Sequence, residues 1–315
     1  MVFSGDLTGS TEIAEFRDAY PERFFSLGMA EQNMLSWAGG MAREGFTPYI
    51  HTFAVFMYRR PYDQLAMSVA YPNLRVRLVG FLPGITTPGG VTHQAIEDLA
   101  VLRGLPNLTI FEMGDATDVE SILDVAQAID GPVYIRMIRQ AIPRLFPAEA
   151  RLQFNRARVL SRGTDITLIS TGICTEEALR ATTLLKQKGV SIQHLHVTTI
   201  KPFSDPLVLE ALSRPKYAVV TMENHTIIGG VGTAVAEMMA ENAIGKKLVR
   251  IGIPDTFAHG AEVRYLMREY GLDAMALVRK VEEILGESFN ISEDDLAGIR
   301  LEPAFSVSVE QLEAL

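Results

Sequence analysis

Residues 28–45, GMAEQNMLSWAGGMAREG, set a carboxylate where an apolar side chain belongs. At about 100° per residue, Gln32, Asn33, Ser36, Arg43 and Glu44 fall within one arc, and Glu31 lies on the far side with Met34, Leu35, Ala38 and Ala42. A buried carboxylate without a partner is costly, so such a group finds a donor. On the residues alone two arrangements stand equal: an ion pair with a lysine or arginine from another element, or a hydrogen bond to a bound cofactor. Other chemistry-bearing residues give weaker signals. His194 and His196 share one face of a strand and could pair on a metal, but no carboxylate or third histidine stands at a recognisable spacing, so packing is the better reading. His51, His225 and His259 fall near strand ends or loops. Cys174 is the only cysteine, which excludes an intrachain disulfide and points to a buried, inert thiol. Gly229-Gly230-Val231-Gly232-Thr233-Ala234-Val235 follows a strand and opens a helix, yet Val235 is too large for the third small position of a dinucleotide fingerprint, so a tight turn is expected.

The elements that must position these residues form two series of strand-like runs alternating with helical patterns. The first has strands over 23–28, 47–56, 74–81, 108–113 and 132–138, with helices at Glu31 and around 62–70, 94–103 and 119–129. The second has strands over 166–172, 191–200, 217–224 and 248–254, with helices around 176–187, 206–212, 231–241 and 263–270. Alternation of this kind predicts an α/β fold of two domains, each a mainly parallel sheet covered by helices. Residues 140–158 carry Pro143, Pro147 and arginines without sustained periodicity. The expected division is therefore a first domain over 1–143, a surface linker over 144–158 and a second domain over 159–315. A length of 315 residues with 48% apolar and 8% aromatic content suits packed domains, and a net charge of −9 without a basic run argues against nucleic acid. Neither a signal peptide nor a membrane-spanning run is read in the sequence, so the expected location is cytoplasmic.

Read together, GMAEQNM at 28–34, HTFAVFMYRRPYDQ at 51–64 and PGGVTHQAIEDLAVLRGLPNL at 88–108, followed by TIKPF at 199–203, ENHTIIGGVGTAVAE at 223–237 and IGIPDTFAHGA at 251–261, resemble the transketolase family of thiamine-diphosphate enzymes over nearly the whole chain. The resemblance implies a pyrimidine-binding domain followed by a transketolase C-terminal domain. It implies that Glu31 hydrogen-bonds N1′ of the aminopyrimidine ring, and that Phe56 and Phe53 form the aromatic wall against which that ring stacks. It further implies that His93 lines the sugar channel as a proton-moving residue, that Arg139 holds the sugar phosphate, and that Asp6 and Ser10, in GDLTGST, lie near the thiazolium and the substrate phosphate. Arg59 and Arg60 fall near the same channel.

The family's metal-binding GDG motif, with its later asparagine, is matched neither by Gly5-Asp6-Leu7 nor by Gly114-Asp115-Ala116. A diphosphate needs its charge compensated, so the resemblance implies a partner chain that carries the diphosphate site and the Mg2+ ligands, with association as a dimer or α2β2 assembly. The expected activity is transfer of a two-carbon ketol unit from a ketose phosphate to an aldose. In GFLPGITTPGGVTHQ, Phe81 or Leu82 replaces a family histidine and Gly89 stands near an acidic position, which points to an unusual sugar. The alternatives are a 1-deoxyxylulose-5-phosphate synthase-like enzyme, the β subunit of a 2-oxo acid dehydrogenase, and a non-catalytic assembly subunit of the same fold.

Overall fold

The computed structural model describes residues 1–139 and 141–301. The first six strands are β1 (Val2–Ser4), β2 (Phe24–Ser26), β3 (Tyr49–Phe53), β4 (Arg77–Phe81), β5 (Thr109–Glu112) and β6 (Val133–Met137). The next six are β7 (Arg158–Ser161), β8 (Ile166–Ser170), β9 (Ile192–His196), β10 (Thr199–Lys201), β11 (Ala218–Thr226) and β12 (Lys247–Ile253). They form two sheets, ordered β10-β5-β6-β4-β3-β1-β2 and β12-β11-β8-β9-β7. All neighbours run parallel except β10 with β5 and β7 with β9. Every residue of the central strands β4, β6, β8 and β9 is buried. Helices cover both faces, as near-continuous apolar strands demand.

In a parallel sheet every strand ends on the same edge, so the loops that follow β1, β3, β4 and β6 gather at one rim. That rim carries residues 5–10, 53–60, 82–97 and 138–139, the segments in which the sequence concentrates its candidate residues.

Several expected elements come out differently. The run 47–56 is a strand only to Phe53; the helix Ala54–Tyr58 then turns Phe56 back over the strand end. The run 191–200 is two strands, and the second, β10, crosses to pair antiparallel with β5 at the edge of the first sheet. Residues 144–158 are not a simple surface linker, since Leu145, Phe146 and Leu152 are buried and the first two pack with Leu160 and Leu179. The helix expected from 94 begins only at Asp98, because a 3-10 turn over Gly90–Thr92 and two isolated bridges from Ala95 to Pro83 and Gly84 precede it. The strands β1 and β7 and the helices Ala14–Ala19, Ala274–Leu285 and Glu293–Ala297 have no counterpart in the sequence reading.

The domains are locked together by buried charge. Arg136, fully buried on β6, binds Asp98 Oδ2 through Nε at 2.9 Å, pairs through Nη1 with Glu112, and donates from Nη2 to Asn224 O at 3.2 Å. Those acids hold the guanidinium charged, and its pKa is raised despite burial. His196 Nε2 meets Asp118 Oδ2 at 2.8 Å, Asp118 accepts from Arg158 at 2.9 Å, and His196 Nδ1 meets Thr175 Oγ1 at 2.8 Å. Burial alone would raise the Asp118 pKa; His196 and Arg158 outweigh it and lower it. The histidine pair of β9 is therefore structural, His194 Nε2 bonding Ser170 Oγ at 2.8 Å. No group of three residues able to hold a metal occurs among the described residues. Cys174 is buried and its thiol pKa is pushed well up by burial, in keeping with an inert thiol. No described helix is long and apolar enough to cross a membrane.

Candidate functional site

Glu31 opens the helix Glu31–Arg43, whose buried residues are Glu31, Met34, Leu35, Ala38 and Gly39. The expected apolar face is real, and the carboxylate sits on it at 3% exposure. Its partner is Arg60: Nη1 donates to Glu31 Oε1 at 2.7 Å. Of the two arrangements open at the start, the ion pair is the one present in this chain. It is not a closed core pair, because the Arg60 side chain is 44% exposed while that of Glu31 is 2% exposed.

The same guanidinium lies over Phe56, its central carbon 3.9 Å from the ring centroid. Phe53 stacks against Phe56 with centroids 5.8 Å apart and planes 30° apart. His93 turns its ring edgewise to both, at 6.1 Å from Phe53 and 5.6 Å from Phe56. Phe53, Phe56 and His93, drawn from separate stretches of chain, thus meet in one cluster, and the Arg60 guanidinium links it to Glu31. The His93 Nδ1 lies 2.9 Å from Thr92 Oγ1, which fixes the ring's rotation without taking both nitrogens.

Neighbouring contacts hold this cluster in place. Arg59 is bound on three sides, with Glu97 Oε1 at 2.5 Å from Nη2, Tyr58 Oη at 2.9 Å and Val91 O at 3.1 Å, and so ties the helix after β3 to the 90–97 loop. Gln32 Nε2 donates to Arg60 O at 3.3 Å and anchors that residue's backbone to the Glu31 helix. From the second domain, Asn224 brackets the loop after β4: its Oδ1 accepts from Ile85 N and its Nδ2 donates to Pro83 O, both at 3.0 Å. Gly84 makes this possible, since it adopts φ +60° and a Cβ there would lie 2.2 Å from Asn224 Oδ1. Leu82, beside it, is also left-handed at φ +57°, a conformation that costs a leucine about 1 kcal/mol or more. Gln94 Nε2 reaches His259 O at 3.2 Å on the opposite flank. The second domain therefore sets the shape of the loop that carries His93.

The remaining candidates share the rim but not the cluster. Asp6 is exposed at φ +63° in the loop after β1, where Gly5 N donates to His51 O at 3.3 Å, and Ser10 follows in the same loop. Arg139 follows β6, and its Nε is buried without a hydrogen-bond partner among the described residues. Among the described residues none of the three makes a hydrogen bond or ion pair with Glu31 or His93. His51, on β3 beside Phe81 at 5.9 Å, has its pKa lowered to about 4 by burial and is held neutral. Asp115 is committed elsewhere: it caps the helix Ala116–Ala128 and accepts from Leu145 N and Phe146 N, both at 3.0 Å.

The glycine-rich turn at 229–232 is filled by the chain itself. Glu223, fully buried, accepts from Val231 N at 2.6 Å and Gly232 N at 2.8 Å, at the start of the helix Val231–Glu241. A Cβ at Gly230 would lie 2.0 Å from Glu223 Oε2. The helix N-terminus that could have cradled a phosphate instead holds a carboxylate, whose pKa burial raises to about 7.

Arg60, Glu97, Gln94 and Asn224 are the residues that sequence reasoning left without a role. All four lie in segments that carry the family resemblance, yet Asn224 acts from another domain and no local pattern announces such a contact.

Known proteins resemble about nine-tenths of the chain. The description "Transketolase, pyrimidine binding domain" matches residues 1–144, and "Transketolase, C-terminal domain" matches residues 155–277. A putative transketolase C-terminal section from Methanocaldococcus jannaschii is 38% identical over 90% of this chain and 89% of its own length. A 6-deoxy-6-sulfo-D-fructose transketolase subunit from Clostridium sp. (strain MSTE9) is 36% identical over 90% of this chain and 88% of its own. A solved structure described as a split gene transketolase, inactive β4 tetramer, superposes with a TM-score of 0.83 at 37% identity, covering 91% of this chain and 92% of that one. By contrast, the chain spans 43% of a 1-deoxy-D-xylulose-5-phosphate synthase from Symbiobacterium thermophilum, at 34% identity. Two domain matches in family order, together with relatives of similar length over nine-tenths of the sequence, place this chain in the transketolase family, as a counterpart of its separately encoded C-terminal sections.

Proposed function

We propose that this chain is the C-terminal subunit of a two-subunit transketolase that, with a partner carrying the diphosphate site and Mg2+ ligands, transfers a two-carbon ketol unit from an anionic ketose to an aldose. The observation that carries the reading is Glu31, a buried carboxylate whose only hydrogen-bond partner among the described residues is a half-exposed guanidinium stacked on Phe56. A planar donor lying on an aromatic face and bonding a buried carboxylate is what an aminopyrimidine would also be, so the residues fit thiamine diphosphate. That cofactor, when bound, supplies a carbanion-stabilising thiazolium.

The residues of this chain then have distinct work. Glu31 accepts a hydrogen bond from, or shares a proton with, the ring nitrogen that reaches it. Phe56 and Phe53 orient the ring and exclude water from it. His93, with one nitrogen engaged by Thr92, keeps the other for a substrate hydroxyl and moves a proton there. Arg139, whose buried Nε has no hydrogen-bond partner among the described residues, suits the anionic end of the sugar. The sulfo-sugar named for the Clostridium relative widens the class of anionic ends worth testing beyond phosphate. Asp6 and Ser10, in the loop after β1 on the same rim, would help hold the cofactor and the anionic end of the substrate. A related chain described as an inactive β4 tetramer supports the need for a second subunit and the capacity for self-association.

The test is reconstitution with a diphosphate-binding partner, thiamine diphosphate and Mg2+, assayed for ketol transfer from phosphorylated and 6-sulfo ketoses. Activity should require both chains and vanish in Glu31→Ala while circular dichroism is unchanged. Full turnover in Glu31→Ala would overturn the reading.

A further inference from the structure

Arg59 and Arg60 are neighbours with opposite circumstances. Arg59 is fastened by Glu97, Tyr58 and Val91, whereas the Arg60 guanidinium, with five N–H donors, has Glu31 as its only hydrogen-bond partner among the described residues. Its contacts are also unusual as a set. A flat cation lies 3.9 Å over the Phe56 ring and donates to the buried oxygen of Glu31 at 2.7 Å, so it satisfies an aromatic face and a carboxylate at once. Phe53 and His93 also pack against Phe56, with ring centroids 5.8 and 5.6 Å away.

We infer that Arg60 is an internal stand-in for the aminopyrimidine ring: its guanidinium fills the ring's seat in the free chain, and the ring must displace it to reach Glu31. The inference rests on the cofactor reading above and adds a competitor to it. In the free chain the stand-in spares Glu31 an unpaired burial and keeps the aromatic wall covered. The exit is short, because the side chain is already 44% exposed and its backbone stays anchored by Gln32. Affinity for the ring is therefore a difference between two occupants, and Arg60 sets the threshold a ligand must exceed.

The experiment uses this chain alone with 4-amino-5-hydroxymethyl-2-methylpyrimidine as the probe, titrated calorimetrically into wild type, Arg60→Ala, Arg60→Lys and Glu31→Gln. Removing one half-exposed ion pair and one cation–π contact from the competing state should tighten probe binding about tenfold in Arg60→Ala. Arg60→Lys, which keeps the charge without the flat face, should fall between Arg60→Ala and wild type, and Glu31→Gln should bind more weakly than wild type. In wild type, the Arg60 side-chain proton resonances should lose their Phe56 ring-current shift in step with saturation. Equal or weaker binding in Arg60→Ala, or Arg60 resonances that stay put as the site fills, would overturn the stand-in while leaving the ring site intact. Absence of probe binding in every variant would overturn the ring site itself, and the stand-in with it.

Discussion

Two buried glutamates, one in each domain, sit at helix beginnings and are used in opposite ways. Glu223 turns its carboxylate onto the first N–H groups of the helix it faces, Val231 and Gly232, and a neighbouring glycine removes the atom that would collide with it. Glu31 is itself the first residue of its helix, and its carboxylate points across to an exposed arginine rather than to backbone. One acid completes a fold and the other is left available. A glutamate in a core is a ligand candidate when its partner is half in solvent, and a structural cap when its partners are buried N–H groups that have no other acceptor.

Three substitutions probe that contrast. In the reconstituted enzyme, Glu31→Ala should lower kcat by about a thousandfold or more, the scale of losing a proton-sharing group, whereas Glu223→Ala should act on activity only through folding. On stability the order reverses: Glu223→Ala strands two buried N–H groups and should cost about 3 kcal/mol by denaturant titration. Gly84→Ala should cost about 2 kcal/mol or more, since alanine at φ +60° is strained and its Cβ would evict Asn224 from the loop it brackets. Glu31→Ala should change stability by less than about 1 kcal/mol, because half of its ion pair is in water. Equal destabilisation by the two glutamate substitutions would erase the distinction.

Acidity separates them further. The Glu223 carboxyl has its pKa raised from 4.5 to about 7 in the fold, so between those values the native state binds more protons than the unfolded chain and stability falls as pH rises. The difference in unfolding free energy between wild type and Glu223→Gln should therefore shrink from pH 4.5 to 7, by about 3 kcal/mol at most. His194 works the other way. Burial lowers its pKa from 6.5 to about 3, so the stability it contributes is complete above pH 6.5 and is lost as pH falls toward 3. His194→Leu should flatten the acid limb of the stability curve, and an unchanged limb would contradict the assignment of that histidine as neutral.

Much of the architecture was legible in the sequence because period and punctuation carry it. Glu31 stood out through a 3.6-residue pattern alone, and the buried face observed for its helix is the one the pattern draws. The strand-and-helix alternation likewise implied two covered parallel sheets. What escaped was non-local. Nothing in the run 191–200 says that its last residues leave one sheet for another, and the short runs of β1 and β7 are too brief to show a period. Leu145 and Phe146 pack against Leu160 and Leu179 while Asp115 receives their backbone N–H groups, pairings with residues far away in sequence. At the site, motif order located Phe53, Phe56 and His93, but the partner of Glu31 and the grip of Asn224 on Pro83 and Ile85 depend on where separate segments meet. The residues at 81–90 foretold an altered loop without revealing that three left-handed residues, Leu82, Gly84 and Gly90, shape it.

The measurement that tests the central claim most directly is the nitrogen chemical shift of N1′ in isotopically labelled thiamine diphosphate bound to the reconstituted two-chain enzyme. Contact with Glu31 should move N1′ toward its protonated position in wild type, and Glu31→Gln should abolish that movement. An N1′ shift identical in wild type and Glu31→Gln, with the cofactor bound in both, would contradict it.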